Sequence, residues 1–216
     1  MPRKGRKVRV VWKWTMFNKR GYTITTVLYD KNSQEIDREG DYLIEVPTNL
    51  SQFPKLHKLN LSCNMIGTTI DRLCDLTNLT YLDLSMCGVK HLPPEFANLQ
   101  KLEHLDLDYN YNLKHICKSL ALLKSLKELK LSKTNLNISE KGKTHKPPKL
   151  ERLGSLVELE LLDLSWNSFI DKIPSELKNC TKLKTICLYE NSVTCINSAY
   201  ELFTREQIDL FNPHPF

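Results

Sequence analysis

The sequence predicts an α/β repeat solenoid, a horseshoe in which every repeat adds one short strand to a parallel sheet on the concave side. A nine-residue pattern with leucine or isoleucine at its first, fourth and sixth places occurs six times, with starts 23, 23, 24, 33 and 24 residues apart. Within the pattern, apolar and polar residues alternate as in a half-buried strand. Between patterns, prolines and apolar residues at near-helical spacing indicate a return segment.

Neighbouring copies of the pattern share one core, because a single copy cannot bury its apolar side alone. The ninth residue is asparagine in four copies, and we expect its amide to hydrogen-bond the backbone groups exposed where the strand ends. A frame beginning at Leu156 nearly fits as well, but Asn167 favours the frame beginning at Leu159. The copies span residues 56–64, 79–87, 102–110, 126–134, 159–167 and 183–191.

The pattern and the return segments resemble a known family. The motif L-x-x-L-x-L-x-x-N and the segment L-P-P-E-F-A-N-L at residues 92–99 are similar to leucine-rich repeat proteins, notably intracellular ones of the Ras-suppressor and Ras-scaffold type. The 24-residue step after Asn110 and the segment I-P-S-E-L at 173–177 look more like plant disease-resistance and plant receptor repeats. The resemblance covers residues 43–193, and it implies a protein-interaction module without catalysis of its own.

The N-terminal region predicts a basic arm and a β-hairpin. Residues 1–20 carry eight lysines or arginines and no acid, so the remaining 23 basic and 25 acidic residues give a formal charge of −2. Residues 8–29 are rich in β-forming residues, and 18–21 are typical of a turn. We expect this hairpin to close the N-terminal edge of the solenoid sheet, whose backbone groups would otherwise be unpaired. With a degenerate repeat it fills residues 8–42.

The strand of the degenerate repeat is expected at Ile24-x-x-Val27-x-Tyr29-x-x-Asn32, with about nine extra residues before the return segment at 46–53. Repeats then occupy residues 43–197. The 33-residue step holds a polar, basic insertion at 137–149, an exposed loop that is either a partner or phosphate contact or a tolerated surface insertion. Residues 198–216 begin with capping-box spacing at Ser198 and Glu201, which predicts a C-terminal cap helix and tail.

Cysteine usage and hydropathy bound the class of protein. The seven cysteines contain no C-x-x-C pair, no secretory signal is visible, and no run of residues is long enough to span a bilayer. We therefore expect reduced thiols that serve as core or turn residues in a cytoplasmic protein, with the nucleus as an alternative location. No cofactor, metal site or enzymatic activity is expected, because no motif supplies a nucleophile, a ligand set or a phosphate loop.

The outward strand positions predict where a partner would bind. The middle of this face is acidic and aromatic residues flank it, a mixture that suits protein recognition. The acidic row favours a partner with a basic surface, although an ordinary solvated strand face would carry the same residues. Reversing Asp83, Asp106 and Asp108 to lysine is expected to abolish binding and leave the fold intact. The candidate partner-binding residues are Lys58, Asn60, Tyr81, Asp83, His104, Asp106, Asp108, Glu128, Lys130, Leu161, Asp163, Trp166 and Tyr189.

Two other functions stay open at this point. The basic arm has the charge to contact nucleic acid or to act as a nuclear import signal, although a solubilising tail would look the same. The repeats would also suit the sensing part of an immune receptor or a ubiquitin-ligase adaptor, but no nucleotide-binding domain or F-box is recognisable. The oligomeric state is left open. The arm residues that would carry nucleic-acid contact or targeting are Arg3, Lys4, Arg6, Lys7 and Arg9.

Overall fold

A computed structural model describes residues 9–19, 21–113, 115–136, 149–167 and 170–210. Two antiparallel strands, β1 (Arg9–Asn18) and β2 (Gly21–Asp30), form a hairpin. Eight parallel strands follow in one sheet, ordered along the chain from β3 to β10. A single α-helix, α1 (Val193–Tyr200), lies between the last two of them in the described chain. The parallel strands are β3 (Glu35–Asp37), β4 (Lys58–Asn60), β5 (Tyr81–Asp83), β6 (His104–Asp106), β7 (Glu128–Lys130), β8 (Leu161–Asp163), β9 (Thr185–Cys187) and β10 (Ile208–Asp209).

The predicted solenoid is confirmed, and its inward leucines form one continuous core. Leu59 stands opposite Leu82, and Leu82 stands opposite Leu105, so each inward residue stacks on its equivalent in the next repeat. Leu159 and Leu162 are fully buried and Leu162 occupies the central strand position, which confirms the later frame for that copy. The stack therefore follows the 23- and 24-residue steps of the sequence.

The ninth residue of each copy satisfies buried backbone groups, as predicted. The Nδ2 of Asn64 donates to the carbonyl oxygens of Arg38 and Leu61, both at 2.8 Å, while its Oδ1 accepts from the Leu43 amide at 2.8 Å. One side chain thus joins its own strand end to that of the preceding repeat. The same role is played by Asn110, Asn167 and Asn191. Fewer of these hydrogen bonds are made by Cys87 and Thr134, which occupy the same place in their copies.

The return segments on the convex side are short 3₁₀ helices. Pro94 opens one of them, where its missing N–H leaves no hydrogen bond unmade, and Phe96 fills the core beneath with no exposed surface. The predicted near-helical spacing is therefore confirmed, in the tighter 3₁₀ form. The helices are Leu50–Gln52, Ile70–Asp75, Pro94–Asn98, Leu120–Leu122, Leu150–Ser155, Ser175–Asn179 and, in the C-terminal cap, Arg205–Gln207.

The degenerate first repeat lies later in the chain than the sequence suggested. Residues 24–29 belong to the hairpin, and the first strand of the parallel sheet is Glu35–Asp37. Ile36 stands opposite Leu59 and is 23 residues before it, so this repeat has the ordinary length and needs no extra residues. The prediction at Ile24 was wrong because the repeat that contains Ile36 has other residues at the two remaining leucine positions of the pattern. Ile36 alone is a weak sequence signal.

The hairpin covers the N-terminal end of the core, but it does not pair with the edge strand β3. Instead, the Phe17 amide donates to the Tyr42 carbonyl at 3.0 Å, and the Ile44 amide donates to the Thr15 carbonyl at 2.9 Å. Met16 and Tyr29 pack against the core. The predicted pairing with the sheet edge was therefore wrong. β1 instead pairs, in antiparallel direction, with the segment of chain that follows β3.

The C-terminal cap also differs from the prediction. Its helix begins five residues earlier than Ser198, with Ser192 as the N-cap, whose Oγ accepts from the Cys195 amide at 3.0 Å. Ser198 lies inside the helix, and its Oγ accepts from the Ile173 amide at 2.8 Å. The following chain forms a capping box at Thr204 and then β10, which adds a last strand to the sheet. The predicted insertion at 137–149, except Lys149, and the tail at 211–216 lie outside the described residues.

Candidate functional site

The concave face consists of two columns of side chains, one from each outward position of the strands. The first column contains Lys58, Tyr81, His104, Glu128, Leu161 and Thr185. The second column contains Asn60, Asp83, Asp106, Lys130, Asp163 and Cys187. Parallel pairing places consecutive members of a column on adjacent strands, so residues about 23 positions apart in the sequence become neighbours.

The first column is a run of direct contacts. The Lys58 ammonium lies 5.3 Å from the centre of the Tyr81 ring, which in turn lies 6.2 Å from the His104 ring. His104 Nδ1 is 3.0 Å from Glu128 Oε2. Burial and the nearby carboxylates of the second column raise the pKa of Tyr81. These contacts hold the side chains in place, so a molecule bound to this face would find them already ordered.

The second column is less acidic toward solvent than its sequence suggests. One oxygen of each acid caps the turn after the strand: Asp83 Oδ1 accepts from the Ser85 amide at 2.9 Å. Lys130 interrupts the row and lies 3.3 Å from Asp106 Oδ2 and 3.6 Å from Glu128 Oε1. Burial by itself would lower the pKa of Lys130, but these carboxylates raise that pKa and keep the ammonium charged. The middle of the face is therefore a mixed network of charges.

Two predicted contact residues, Asp108 and Asp163, are only 2 % exposed and cannot meet a partner directly. The strands are three residues long, so the chain has already turned inward at Asp108, and the alternation of outward and inward residues has ended. Serines at the equivalent place are also buried, including Ser132 and Ser165. Reversing Asp108 to lysine would bury an ammonium, so we now expect this triple reversal to destabilise the fold and not only to affect binding.

Asp108 is a buried carboxyl group whose ionisation is unfavourable in the folded protein. Its Oδ1 accepts from the Ser132 amide at 2.6 Å, while burial, followed by the carboxylates of Asp106 and Asp163, raises its pKa to about 8. Because this folded-state pKa lies above the unfolded value near 3.9, the wild-type fold loses stability as the pH rises from about 4 to 8. The charge is fully formed only above that range.

Replacing Asp108 by asparagine is expected to stabilise the protein at alkaline pH. The amide oxygen keeps the acceptor for Ser132 and removes the charge, so the free energy of unfolding should rise by about 2 kcal/mol at pH 9 and by much less at pH 4. Urea unfolding at both pH values measures the difference. Asp75→Asn, at an exposed position, is the control and should change neither value. A variant less stable than wild type at pH 9 would contradict this account.

A third row of side chains borders the second column. Its members lie at the end of the turn that follows each strand. They share left-handed backbone angles, with φ of 58° at Cys63, 55° at Met86, 59° at Tyr109, 53° at Lys133 and 58° at Trp166. Each of their amides donates to a carbonyl of the next repeat, as from Tyr109 to Ser132 at 2.8 Å. We call these residues, with Gly40 at one end and Glu190 at the other, the left-handed row.

An aromatic cluster occupies the C-terminal half of the left-handed row. The Lys133 ammonium lies between two rings, 4.7 Å from the centre of Tyr109 and 4.4 Å from that of Trp166. Trp166 meets Tyr189 edge to face at 5.4 Å, and Tyr109 meets Tyr111 in the same way at 6.3 Å. Lys133 and Tyr111 were not among the predicted residues. The signal for Lys133 is its place just before the ninth residue of its copy, which the strand register brings next to Tyr109 and Trp166, whereas Tyr111 directly follows the ninth residue of its own copy.

The N-terminal half of the row is apolar and rich in sulfur. Cys63 Sγ lies 3.7 Å from Met86 Sδ, and both line a cleft of about 210 Å³ with Phe17, Tyr42 and Met65. Burial, together with Glu39 and Asp83, raises the pKa of the Cys63 thiol. All seven cysteines are unpaired. Burial raises the pKa of Cys74, Cys87, Cys187 and Cys195 to about 12, as suits core residues.

The predicted nucleic-acid or targeting residues of the basic arm lie almost entirely outside the described part of the chain. Arg3, Lys4, Arg6 and Lys7 are outside the described residues, and for Arg9 only the backbone of β1 is described. Across the described ranges, no group of three histidine, cysteine, aspartate or glutamate side chains is placed to hold a metal ion. In the same part of the chain, no helix has the length and apolar character needed to cross a membrane.

Comparison with known proteins identifies relatives along most of the chain. A family model described as a leucine-rich repeat region matches residues 41–204. The human oligodendrocyte-myelin glycoprotein is 28 % identical over an alignment of 195 residues, which covers 83 % of this chain and 43 % of that protein. Receptor like protein 22 of Arabidopsis thaliana is 34 % identical over an alignment of 152 residues, which covers 68 % of this chain and 18 % of that protein. The chain thus spans less than half the length of these relatives.

Solved structures share the fold at low sequence identity. A leucine-rich repeat protein of Leptospira interrogans superposes with a TM-score of 0.59 at 21 % identity, covering 83 % of this chain and 49 % of that one. An internalin of Listeria monocytogenes gives a TM-score of 0.58 at 20 % identity, covering 86 % and 57 %. The relatives are diverse, so they support the repeat fold and do not single out one subfamily.

Proposed function

Because this chain belongs to the leucine-rich repeat family, whose repeats typically mediate protein–protein interaction, we propose that it is a non-catalytic scaffold or adaptor that holds a protein partner on its concave face. The observation that carries this proposal is the aromatic cluster around Lys133, where a cation and four rings contact one another along one side of the face. Tyrosine and tryptophan in fixed positions are the residues that dominate binding energy at protein interfaces.

The face favours a partner with basic groups. Asp83, Asp106 and Glu128 are partly exposed in its middle, and Lys130 neutralises them only in part. Positive side chains of a partner would therefore meet complementary charge beside aromatic anchors, which speeds association and selects against acidic competitors. The direct contacts within the first column keep this surface preorganised.

Removing two anchors is expected to abolish partner recovery. The double variant Trp166→Ala and Tyr189→Ala deletes the edge-to-face pair, and each ring at an interface centre is worth about 2 kcal/mol or more, so recovery should fall at least tenfold. The measurement is quantitative affinity capture from native lysate with mass spectrometry. The matched control, Leu122→Ala with Val157→Ala, removes two exposed apolar side chains from the return segments.

The supporting result is a set of proteins retained by wild type and the control but lost with the double variant. Thermal unfolding of all three proteins checks that each is folded. If the double variant recovers the same proteins in the same amounts, the concave site is wrong.

The basic arm supports a second proposal, that the protein also contacts nucleic acid. Its eight basic residues within positions 1–20 contrast with a remainder of formal charge −2. Replacing Arg3, Lys4, Arg6 and Lys7 by alanine should then remove nuclease-sensitive partners and leave the concave-face partners in place. We also propose that the protein resides in a reducing compartment, the cytoplasm or the nucleus. The seven unpaired cysteines support this location.

A further inference from the structure

The two sheets of this protein protect their edges very differently. The solenoid sheet ends in β3, of three residues, and β10, of two residues. The hairpin strand β2 is ten residues long, and within the described chain it pairs with β1 alone. Proteins usually keep exposed edges short, or guard them with charge, proline or a bulge, because a long open edge is a template for another strand.

The open edge of β2 has none of these protections. Residues 21–29 contain no charged residue and no proline, and they are rich in threonine, isoleucine, valine and tyrosine. The ten-residue register with β1 is continuous and contains no bulge. The neighbouring strand differs, since β1 carries Arg9 and Lys13 and its outer edge is bonded to the chain around Leu43.

The outward face of β2 carries three exposed apolar side chains, with Thr26 between the last two of them. Tyr22, Ile24 and Leu28 are 72 %, 70 % and 52 % exposed, and their even spacing places them on one side of the strand. Phe17 stands opposite Tyr22 on β1, with the two ring centres 5.3 Å apart. An edge strand with exposed apolar side chains and unguarded backbone groups fits an interface better than a solvated surface.

We propose that β2 pairs with β2 of a second copy of this chain, antiparallel about a twofold axis, to form a four-stranded sheet. Pairing that keeps both apolar faces on one side places Tyr22 beside Leu28 of the second copy, and Ile24 beside Thr26. The uncharged edge meets its own copy without repulsion, whereas a charged strand would find no complement on it. A twofold contact uses one patch on both subunits, the commonest arrangement among oligomers.

The size of the contact sets the expected strength. One pair of ten-residue strands buries less than a standard interface of about 1,600 Å², so the dimer is expected to dissociate in the micromolar range. Sedimentation equilibrium of the full chain between about 1 and 200 μM covers that range. The mass should rise from the monomer value of 25.1 kDa to twice that value with increasing concentration.

Ile24→Lys is expected to weaken the dimer at least tenfold, because the two introduced ammonium groups lie close to the axis. Ile24 is already 70 % exposed, so the hairpin tolerates the change. Thr26→Lys, at another exposed position of the same strand, should act in the same way. The matched control is Val193→Lys, which places a charge on a 73 % exposed aliphatic position in α1 and should leave the dimer unchanged.

Hydrogen exchange identifies the strand involved. Alternate amides of residues 21–30, those that point away from β1, should become protected as the concentration rises, while those of residues 31–42 keep the same exchange. A protein that stays monomeric throughout, that forms larger assemblies instead of a dimer, or that dimerises equally well as Ile24→Lys and Thr26→Lys would overturn the proposal.

Discussion

Replacing Asn110 by alanine is expected to lower the free energy of unfolding by about 4 kcal/mol, because four buried backbone groups lose their partner. Asn110 is fully buried. Its Nδ2 donates to the Leu84 and Leu107 carbonyls at 2.9 and 2.8 Å, and its Oδ1 accepts from the Val89 and Cys87 amides at 2.8 and 3.2 Å. No water can enter to replace these bonds without opening the contact between two repeats.

Thermal unfolding should show the loss as a fall in melting temperature of about 10 °C. Asn78→Ala is the matched control, since the same side chain is removed from a partly exposed site. Asn78 donates to the Pro54 carbonyl at 2.9 Å and accepts from Lys101 at 2.6 Å, and water can take both places. This control should cost about 1 kcal/mol or less. Equal losses for the two variants would show that the buried asparagine does not hold the repeats together.

Replacing Gly67 by alanine is expected to cost about 3 kcal/mol, because there is no room for a methyl group. A Cβ at this position would lie 2.3 Å from the Gly88 carbonyl oxygen and 2.7 Å from the Val89 amide nitrogen. Both atoms belong to the backbone of the next repeat, and the Gly67 amide donates to the Cys87 carbonyl at 2.9 Å. The two repeats would have to separate locally to relieve the clash.

Gly88→Ala distinguishes crowding from backbone strain. Gly88 has a φ of 72°, so alanine there is strained, but its Cβ would meet no atom within 4 Å. That change should cost about 1 kcal/mol, well below the loss at Gly67. Urea unfolding of the two variants at the same pH provides the comparison. A larger loss at Gly88 than at Gly67 would mean that the close approach between repeats is not what limits this position.

Much of the solenoid was predictable because its determinants repeat. Leu59, Leu82 and Leu105 are buried for the same reason at the same place, so each copy reinforces the interpretation of the others. Asn64 was predictable in the same way, since an amide after a strand has few roles other than bonding the exposed backbone. Even the difficult copy after the insertion was resolved by one residue, Asn167.

The ends and the concave face were less predictable, because their determinants are tertiary. The position of the first strand depends on Ile36 alone, and the cap helix on Ser192, a serine among several. Burial of Asp108 follows from a strand only three residues long, a length that alternation of residue types does not reveal. Lys133 joined the site only once the strand register had placed it between two rings.

The left-handed row has a consequence for how easily this protein can acquire new specificity. Only glycine adopts such angles freely, so each of the five non-glycine residues from Cys63 to Trp166 is held against a cost of about 1 kcal/mol by its bond to the next repeat. The backbone at these positions is therefore fixed by the stack and not by the side chain. Evolution, or a combinatorial library, can exchange Cys63, Met86, Tyr109, Lys133 and Trp166 while the inward leucines stay unchanged.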